Sequence, residues 1–261
     1  MRVFTSKDGT PIACFVSGSG PPLVLVHGTA ADHTRWMPVL PAFEAHHTVH
    51  ACDRRGRGAS GDNADYAIER EAEDVAAVVD GIRGPVDLLG HSYGAICALE
   101  AATRAKNIRH LVLYEPPIPT GAPISPPGVV ERLQAKLDAG DREGAVVDFH
   151  IEVPRMSKEQ VAKMRELPAW QASVGAAHTL LRELRGCDEY VFVPERFKRV
   201  TAPTLLLYGD ASPGFFRAAT EMVHDAIPSS KIVVMAGQQH TAMDTATELF
   251  ARDVLDFLED R

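Results

Sequence analysis

One serine lies between two glycines where the sequence changes from a strand pattern to a helix pattern. The pentapeptide Gly-His-Ser-Tyr-Gly at 90–94 follows the apolar run 85–89 and precedes the helical stretch 95–104. So sharp a turn forces its middle residue into a cramped backbone conformation, which is tolerated only where the residues two positions away are small. The turn also places the serine oxygen at a helix N-terminus, where free N–H groups stabilise negative charge. We therefore expect Ser92 to be a nucleophile.

A serine hydroxyl needs a general base, and the base needs a group that orients it. Two downstream strand patterns, at 202–209 and 231–235, are followed by Asp210 and by a loop that ends in His240. The carboxyl ends of parallel strands lie along one edge of a sheet, so residues far apart in the chain meet there. The sequence therefore predicts that Ser92, Asp210 and His240 form a catalytic triad.

The elements that position these residues alternate in the βαβ manner. Such alternation predicts an α/β fold with a mostly parallel central sheet flanked by helices. A hairpin-like pair is expected at 3–5 and 12–16. Further strands are expected at 22–26, 48–52, 85–89, 108–114, 202–209 and 231–235, and helices at 68–82, 215–227 and 245–258.

Together these features resemble the α/β-hydrolase fold superfamily, in its serine esterase and haloperoxidase-like branch. The chain order serine, aspartate, histidine is typical of that fold. His-Gly-Thr at 27–29, directly after strand 22–26, is similar to the loop of the family that forms part of the oxyanion hole. The resemblance implies that the backbone N–H groups of Thr29 and Tyr93 bind the oxyanion. It also implies a mainly structural role for the stretch 53–60.

A second carboxylate competes for the role of the acid. Glu115 also ends a predicted core strand, and some members of the family place the acid there. We favour Asp210, because the segment 205–210 carries the usual pattern of the family and because Glu115 leads directly into two prolines.

The chain between strands 108–114 and 202–209 has a helical pattern without βα alternation. An apolar stripe begins at Val129, Ser157 is a candidate N-cap, and 170–184 is a further helical run. The resemblance implies a helical cap at 117–200, inserted in a hydrolase core of 1–116 and 201–261. We expect five cap side chains to face the substrate: Phe149, His150, Met156, Trp170 and His178.

Composition limits the partners and the location of the chain. A net charge of −8 over 261 residues argues against attraction to nucleic acid or to acidic membranes. No segment approaches the roughly 18 consecutive apolar residues of a membrane span, and the first nine residues lack the apolar stretch of a signal peptide. We expect a cytoplasmic protein that binds a small-molecule substrate and neither nucleic acid nor membrane.

No metal and no organic cofactor are expected. The neighbouring His46, His47 and His50 fall on different faces of a strand pattern, and no carboxylate completes a ligand set. The four cysteines are widely scattered and are expected to be free thiols. They are Cys14, Cys52, Cys97 and Cys187.

The expected reaction is hydrolysis of a carboxylic ester or lactone of a small to medium, partly apolar substrate through an acyl-enzyme. The same triad is compatible with hydrolysis of an amide, with cleavage of a carbon–carbon bond next to a ketone, and with cofactor-free perhydrolysis. An alternative from another class is a ligand receptor on a hydrolase scaffold, with little turnover.

Overall fold

A single mixed sheet organises the chain. The computed structural model describes residues 1–259. The strands are β1 (Arg2–Thr5), β2 (Pro11–Gly18), β3 (Pro22–Val26), β4 (Thr48–Cys52), β5 (Val86–His91), β6 (Ile108–Tyr114), β7 (Thr204–Gly209) and β8 (Ser230–Met235). They lie in the order β1-β2-β4-β3-β5-β6-β7-β8; β2 is antiparallel to both of its neighbours and all other pairs are parallel. The predicted α/β class is confirmed.

Helices cover both faces of this sheet, which is why its central strands are almost continuously apolar. The helices are α1 (Leu40–Glu44), α2 (Ile68–Gly81), α3 (Tyr93–Ala102), α4 (Val129–Asp138), α5 (Arg142–Glu152), α6 (Lys158–Met164), α7 (Trp170–Gly175), α8 (Leu180–Glu189), α9 (Pro194–Phe197), α10 (Gly214–Ala226), α11 (Ala242–Thr245) and α12 (Thr247–Leu258). The side chains of α2, α3 and α10 pack in one core, and those of α1 and α12 in the other.

Helices α4 to α9 all lie between β6 and β7, within the stretch predicted as a cap. Ser157 does cap α6, since its side chain accepts from the N–H of Gln160 and the Gln160 side chain accepts from the N–H of Ser157. The predicted helical run 170–184 is divided into α7, a short 3-10 turn and α8.

A buried charge cluster joins α8 to the core. Glu183 of α8 accepts from Arg54 and Arg57, and both arginines also contact Glu71 of α2. Two positive and two negative side chains, all almost fully buried, neutralise one another here. Because removal of one partner leaves an uncompensated buried charge, this cluster fixes α8 against the sheet.

The expectation of four free thiols is wrong for two cysteines. Cys14 of β2 and Cys52 of β4 form a disulfide, with their Cα atoms 3.9 Å apart. The antiparallel register of β2 and β4 pairs these two residues directly, although 38 positions separate them in the chain. Cys97 and Cys187 are free, as expected, and both are buried.

The helices of the described residues are all too short or too polar to cross a bilayer.

Candidate active site

Ser92 occupies the turn between β5 and α3. Its backbone has φ 55° and ψ −127°, a conformation that side-chain-bearing residues rarely adopt. The strand continues two residues further than the apolar run predicted, so β5 ends directly at the serine. The hydroxyl thus leaves the carboxyl edge of the sheet at the first turn of a helix, as the sequence predicted.

Close backbone packing explains the glycines around this serine. A Cβ on Gly90 would lie 2.4 Å from the Gly94 oxygen, and a Cβ on Gly94 would lie 2.4 Å from the Val26 oxygen. A Cβ on Gly28 would come within 2.9 Å of the Ser92 Cβ. The predicted need for small residues at positions 90 and 94 is therefore confirmed.

Glu115, and not Asp210, is the carboxylate that meets His240. The Glu115 Oε2 lies 2.6 Å from the His240 Nδ1, and both side chains are buried. The Glu115 Oε1 accepts from the N–H of Gly209, at 2.8 Å. A φ of 49° at Glu115 turns the chain after β6 so that its side chain lies against β7 and the histidine loop. The prolines that follow do not prevent this.

Asp210 lies elsewhere, and its predicted pairing with His240 is wrong. Its side chain is exposed, and its Oδ1 accepts from the N–H of Gly237 at 2.6 Å. Asp210 follows β7, whereas Glu115 follows β6, the strand next to β5. The carboxylate one strand closer to Ser92 therefore meets the histidine, and Asp210 stabilises the turn after β8.

Three aromatic side chains fix the loop that carries His240. Tyr114 donates to the Gln239 oxygen and accepts from the N–H of Ala242, at 3.2 Å. The Phe216 ring stacks on the His240 ring, with 4.4 Å between centroids. The His91 Nε2 donates to the His240 oxygen at 2.9 Å, since a carbonyl oxygen only accepts. Sequence reasoning missed these roles, although His91 adjoins the predicted nucleophile and Tyr114 adjoins Glu115, the competing acid.

These contacts set the hydrogen-bonding roles of both imidazoles. The Glu115 carboxylate only accepts, so in the neutral His240 ring the proton lies on Nδ1 and Nε2 has a lone pair. Burial, together with the nearby His240 and Arg35, lowers the pKa of His91 well below its ordinary value. His91 is therefore a neutral positioning residue, and His240 has the tautomer of a general base.

The loop after β3 presents a second set of backbone groups. The ring of His27 donates to the Gly28 oxygen at 2.8 Å and accepts from the N–H of Arg54 at 3.1 Å, which sets the course of the loop. The backbone N–H groups of Thr29 and Tyr93, the predicted oxyanion donors, make no hydrogen bond within residues 1–259. Thr29 lines the same pocket as Ser92.

A pocket of about 920 Å³, including its open mouth, lies between the sheet edge and the helices after β6. Ser92 and His240 line its core side. Its other side is mainly apolar and includes four of the five predicted cap residues, namely Phe149, His150, Met156 and Trp170. The prediction for His178 is wrong: its side chain is exposed, and its Nδ1 contacts the Gly175 oxygen at 3.1 Å.

One cationic side chain, Arg35, lines this pocket among the described residues. Its guanidinium donates to both oxygens of Asp244, at 2.9 and 2.8 Å. The charge of Arg35 is thus neutralised by a bidentate ion pair, and the described part of the chain presents no unpaired cation to a ligand in this pocket.

Asp32, His33 and Asp53 bring potential metal-ligand atoms within 4.8 Å of one another. Asp53 accepts from the backbone N–H and the ring of His33, and from the N–H of Ala59. Although partial burial opposes its charged form, the contact with Asp53 raises the pKa of His33. These bonds hold two loops together, and we assign the cluster that structural role.

Comparison with known proteins identifies the family of this chain. The model of the alpha/beta hydrolase family matches residues 23–253. An alpha/beta hydrolase from Sphaerobacter thermophilus shares 37% identity and a TM-score of 0.81, over 96% of this chain and 99% of that one. A 2-(acetamidomethylene)succinate hydrolase from Mesorhizobium japonicum is 24% identical, covering 93% of this chain and 89% of its own length.

A pimeloyl-[acyl-carrier protein] methyl ester esterase from Aeromonas hydrophila is 25% identical, covering 92% of this chain and 96% of its own length. The family model covers most of the chain. This chain therefore belongs to the alpha/beta hydrolase family.

Proposed function

We propose that this protein hydrolyses a carboxylic ester of a small to medium, partly apolar molecule through an acyl-enzyme on Ser92. The contact of His240 with the buried Glu115 carries the proposal, because it prepares a base in the pocket that contains the serine. An imidazole so oriented is what turns a weakly nucleophilic hydroxyl into a reactive one.

We assign acylation to Ser92, His240, Glu115 and two backbone N–H groups. The His240 Nε2 takes the Ser92 proton as the serine oxygen attacks the ester carbonyl, and Glu115 stabilises the imidazolium that forms. The N–H groups of Thr29 and Tyr93 bind the oxyanion of the tetrahedral intermediate. Loss of one such donor typically lowers the rate by about 100- to 1000-fold.

Deacylation repeats the same steps with water as the nucleophile. Acylation ends when the protonated His240 gives its proton to the leaving alcohol. In deacylation His240 takes a proton from the water that attacks the acyl-enzyme, and returns it to the Ser92 oxygen as the carboxylic acid leaves. The products are an alcohol and a carboxylic acid, and Ser92 is regenerated. No step in this sequence uses a metal or an organic cofactor.

The pocket favours an uncharged substrate. Its wall is mainly apolar, and Arg35 is held by Asp244. The name of the Aeromonas relative supports an ester as the scissile group. The name of the Mesorhizobium relative indicates a dicarboxylate, for which this pocket has no unpaired cation among residues 1–259.

The test is steady-state turnover of p-nitrophenyl esters of increasing acyl length, alongside an anionic hemisuccinate ester. We expect turnover that Ser92→Ala abolishes and Ser229→Ala preserves. Ser229 lies at the opposite edge of the sheet, where its hydroxyl donates to the Ala202 oxygen. A neutral ester should be preferred over the anionic one. Ligand binding with no turnover of any ester would support a receptor and refute the proposal.

A further inference from the structure

The cap side of the pocket contains one histidine that the reaction does not use. His150 of α5 is 8% exposed and lines the pocket opposite Ser92 and His240. Its Nε2 is buried without a hydrogen-bond partner, and neither ring nitrogen makes a hydrogen bond within residues 1–259. The Nδ1 is not fully buried, so it is the ring nitrogen that a ligand in the pocket can reach. Burying an imidazole without partners is unfavourable, and a hydrogen bond from a ligand to Nδ1 would offset part of that cost.

The other polar side chains nearby are already engaged. Ser173 donates to the Ala169 oxygen, and Asp32 accepts from the N–H and hydroxyl of Thr34. The Trp170 Nε1 donates to Glu143 at 3.1 Å, so its indole N–H is already used. Cys187 also lines the pocket, but its free thiol is only a weak donor and acceptor. His150 is thus the described cap side chain in the pocket that has both a strong donor and a strong acceptor unused.

Its surroundings keep the imidazole of His150 uncharged. Burial, with the nearby Arg35 and His240, lowers the pKa of His150 to about 3. The Phe149 ring lies edge-on at 5.1 Å, and the Trp170 ring lies at 6.4 Å. A neutral imidazole offers one N–H donor and one acceptor nitrogen, which suits an uncharged oxygen better than a carboxylate.

We propose that His150 is a specificity-determining residue that hydrogen-bonds an uncharged oxygen substituent, a hydroxyl or a ketone, on the apolar part of the substrate. This inference rests on the proposed ester hydrolysis and adds the substrate class to it. An aliphatic acyl chain would contact the apolar wall, and its one oxygen would pair with the imidazole. The group that selects the substrate is thereby separate from the groups that cleave it.

The test compares p-nitrophenyl hexanoate with analogues that carry one hydroxyl or ketone at successive positions of the acyl chain. The wild type should prefer one analogue over the parent by about tenfold in kcat/KM, the value of one neutral hydrogen bond. In His150→Phe, which keeps an aromatic ring, the ratio should fall to near one, with the change mainly in KM. His150→Gln, which retains a donor and an acceptor, should recover part of it.

His178→Phe is the matched control, because that exposed histidine lies outside the pocket. It should keep the wild-type ratio. A wild-type enzyme that favours the parent ester at every position, or a preference that persists in His150→Phe, would overturn the inference.

A binding measurement separates this inference from the proposed function. Hexanamide and its oxygenated analogue can be titrated into the Ser92→Ala protein by calorimetry, which requires no turnover. Tighter binding of the oxygenated amide, lost in the Ser92→Ala, His150→Phe double variant, would support the inference even if no ester were cleaved. Equal binding of the two amides would overturn it, whatever the esterase assay shows.

Discussion

Replacement of Glu115 by glutamine should disable the general base without disturbing the pocket. The Gly209 N–H donates to one oxygen of Glu115 and the His240 Nδ1 faces the other. In Glu115→Gln the Gly209 N–H holds the amide oxygen, so the amide N–H₂ faces the imidazole. His240 must then protonate at Nε2 to avoid opposing two donors, and it can no longer accept the proton of Ser92.

The expected loss in kcat is about 10⁴-fold, the size of the effect when the orienting acid of such a triad becomes an amide. Thermal unfolding should show that the variant remains folded. Glu115→Asp should also lose activity, because a side chain shorter by about 1.5 Å no longer spans the contact.

Asp210→Asn is the matched control. Its carboxylate is exposed and contacts only the N–H of Gly237 among the described residues, so kcat should change by less than about twofold. The assay is kcat on a short p-nitrophenyl ester at pH 8. A loss of more than about 100-fold in Asp210→Asn, with Glu115→Gln near wild type, would refute the reasoning.

Four further variants test contacts and buried groups described above. Tyr114→Phe removes both bonds to the histidine loop, and should cost about 1–3 kcal/mol of stability in urea unfolding and lower kcat by up to about 100-fold. Cys14→Ser removes the disulfide with Cys52. The separation of 38 residues limits the loss in free energy of unfolding to about 4 kcal/mol, and the reduced wild type should show a similar loss. Glu183→Gln removes one of the two negative charges that neutralise the buried Arg54 and Arg57, and should lower the free energy of unfolding by about 3–5 kcal/mol. Unchanged stability would show that this cluster does not fix α8 against the sheet. The pKa of His150 is about 3 when folded and about 6.5 when unfolded, so protons favour the unfolded chain and stability is lost as pH falls from about 6.5 towards 3. In His150→Phe the free energy of unfolding should fall less steeply with decreasing pH, by about 1.4 kcal/mol per pH unit between those values. Parallel curves of stability against pH for the two proteins would contradict this.

Local patterns predicted the elements and the nucleophile well. The strands 22–26, 48–52 and 108–114 have the predicted bounds, because each is a short apolar run between turn residues. The sequence also predicted the tight turn at Ser92, because Gly90 and Gly94 occupy positions where the backbone packs too closely for a Cβ.

The local sequence pattern did not show which carboxylate orients His240. Asp210 and Glu115 both end core strands, and the choice between them depends on a backbone φ of 49° and on an N–H from the neighbouring strand. Those are consequences of tertiary packing. Two prolines after Glu115 argued against it in the sequence, yet they only follow the turn that aims its side chain.

Two other errors have the same origin. The disulfide depends on the register of β2 against β4, which brings together cysteines that are distant in the chain. His178 lies in a 3-10 turn that interrupts a predicted continuous helix, and the change of phase turns it to the surface. Helical periodicity predicts a pocket face only as long as the helix is unbroken.

The most direct test of the central claim is to treat the folded protein with a fluorophosphonate and locate the label by peptide mass spectrometry. An activated serine reacts with this probe, whereas an ordinary surface serine does not. We predict a single label on Ser92, formed far more slowly in His240→Ala and Glu115→Gln than in Asp210→Asn. A label on another residue, or none on folded wild-type protein, would contradict the account.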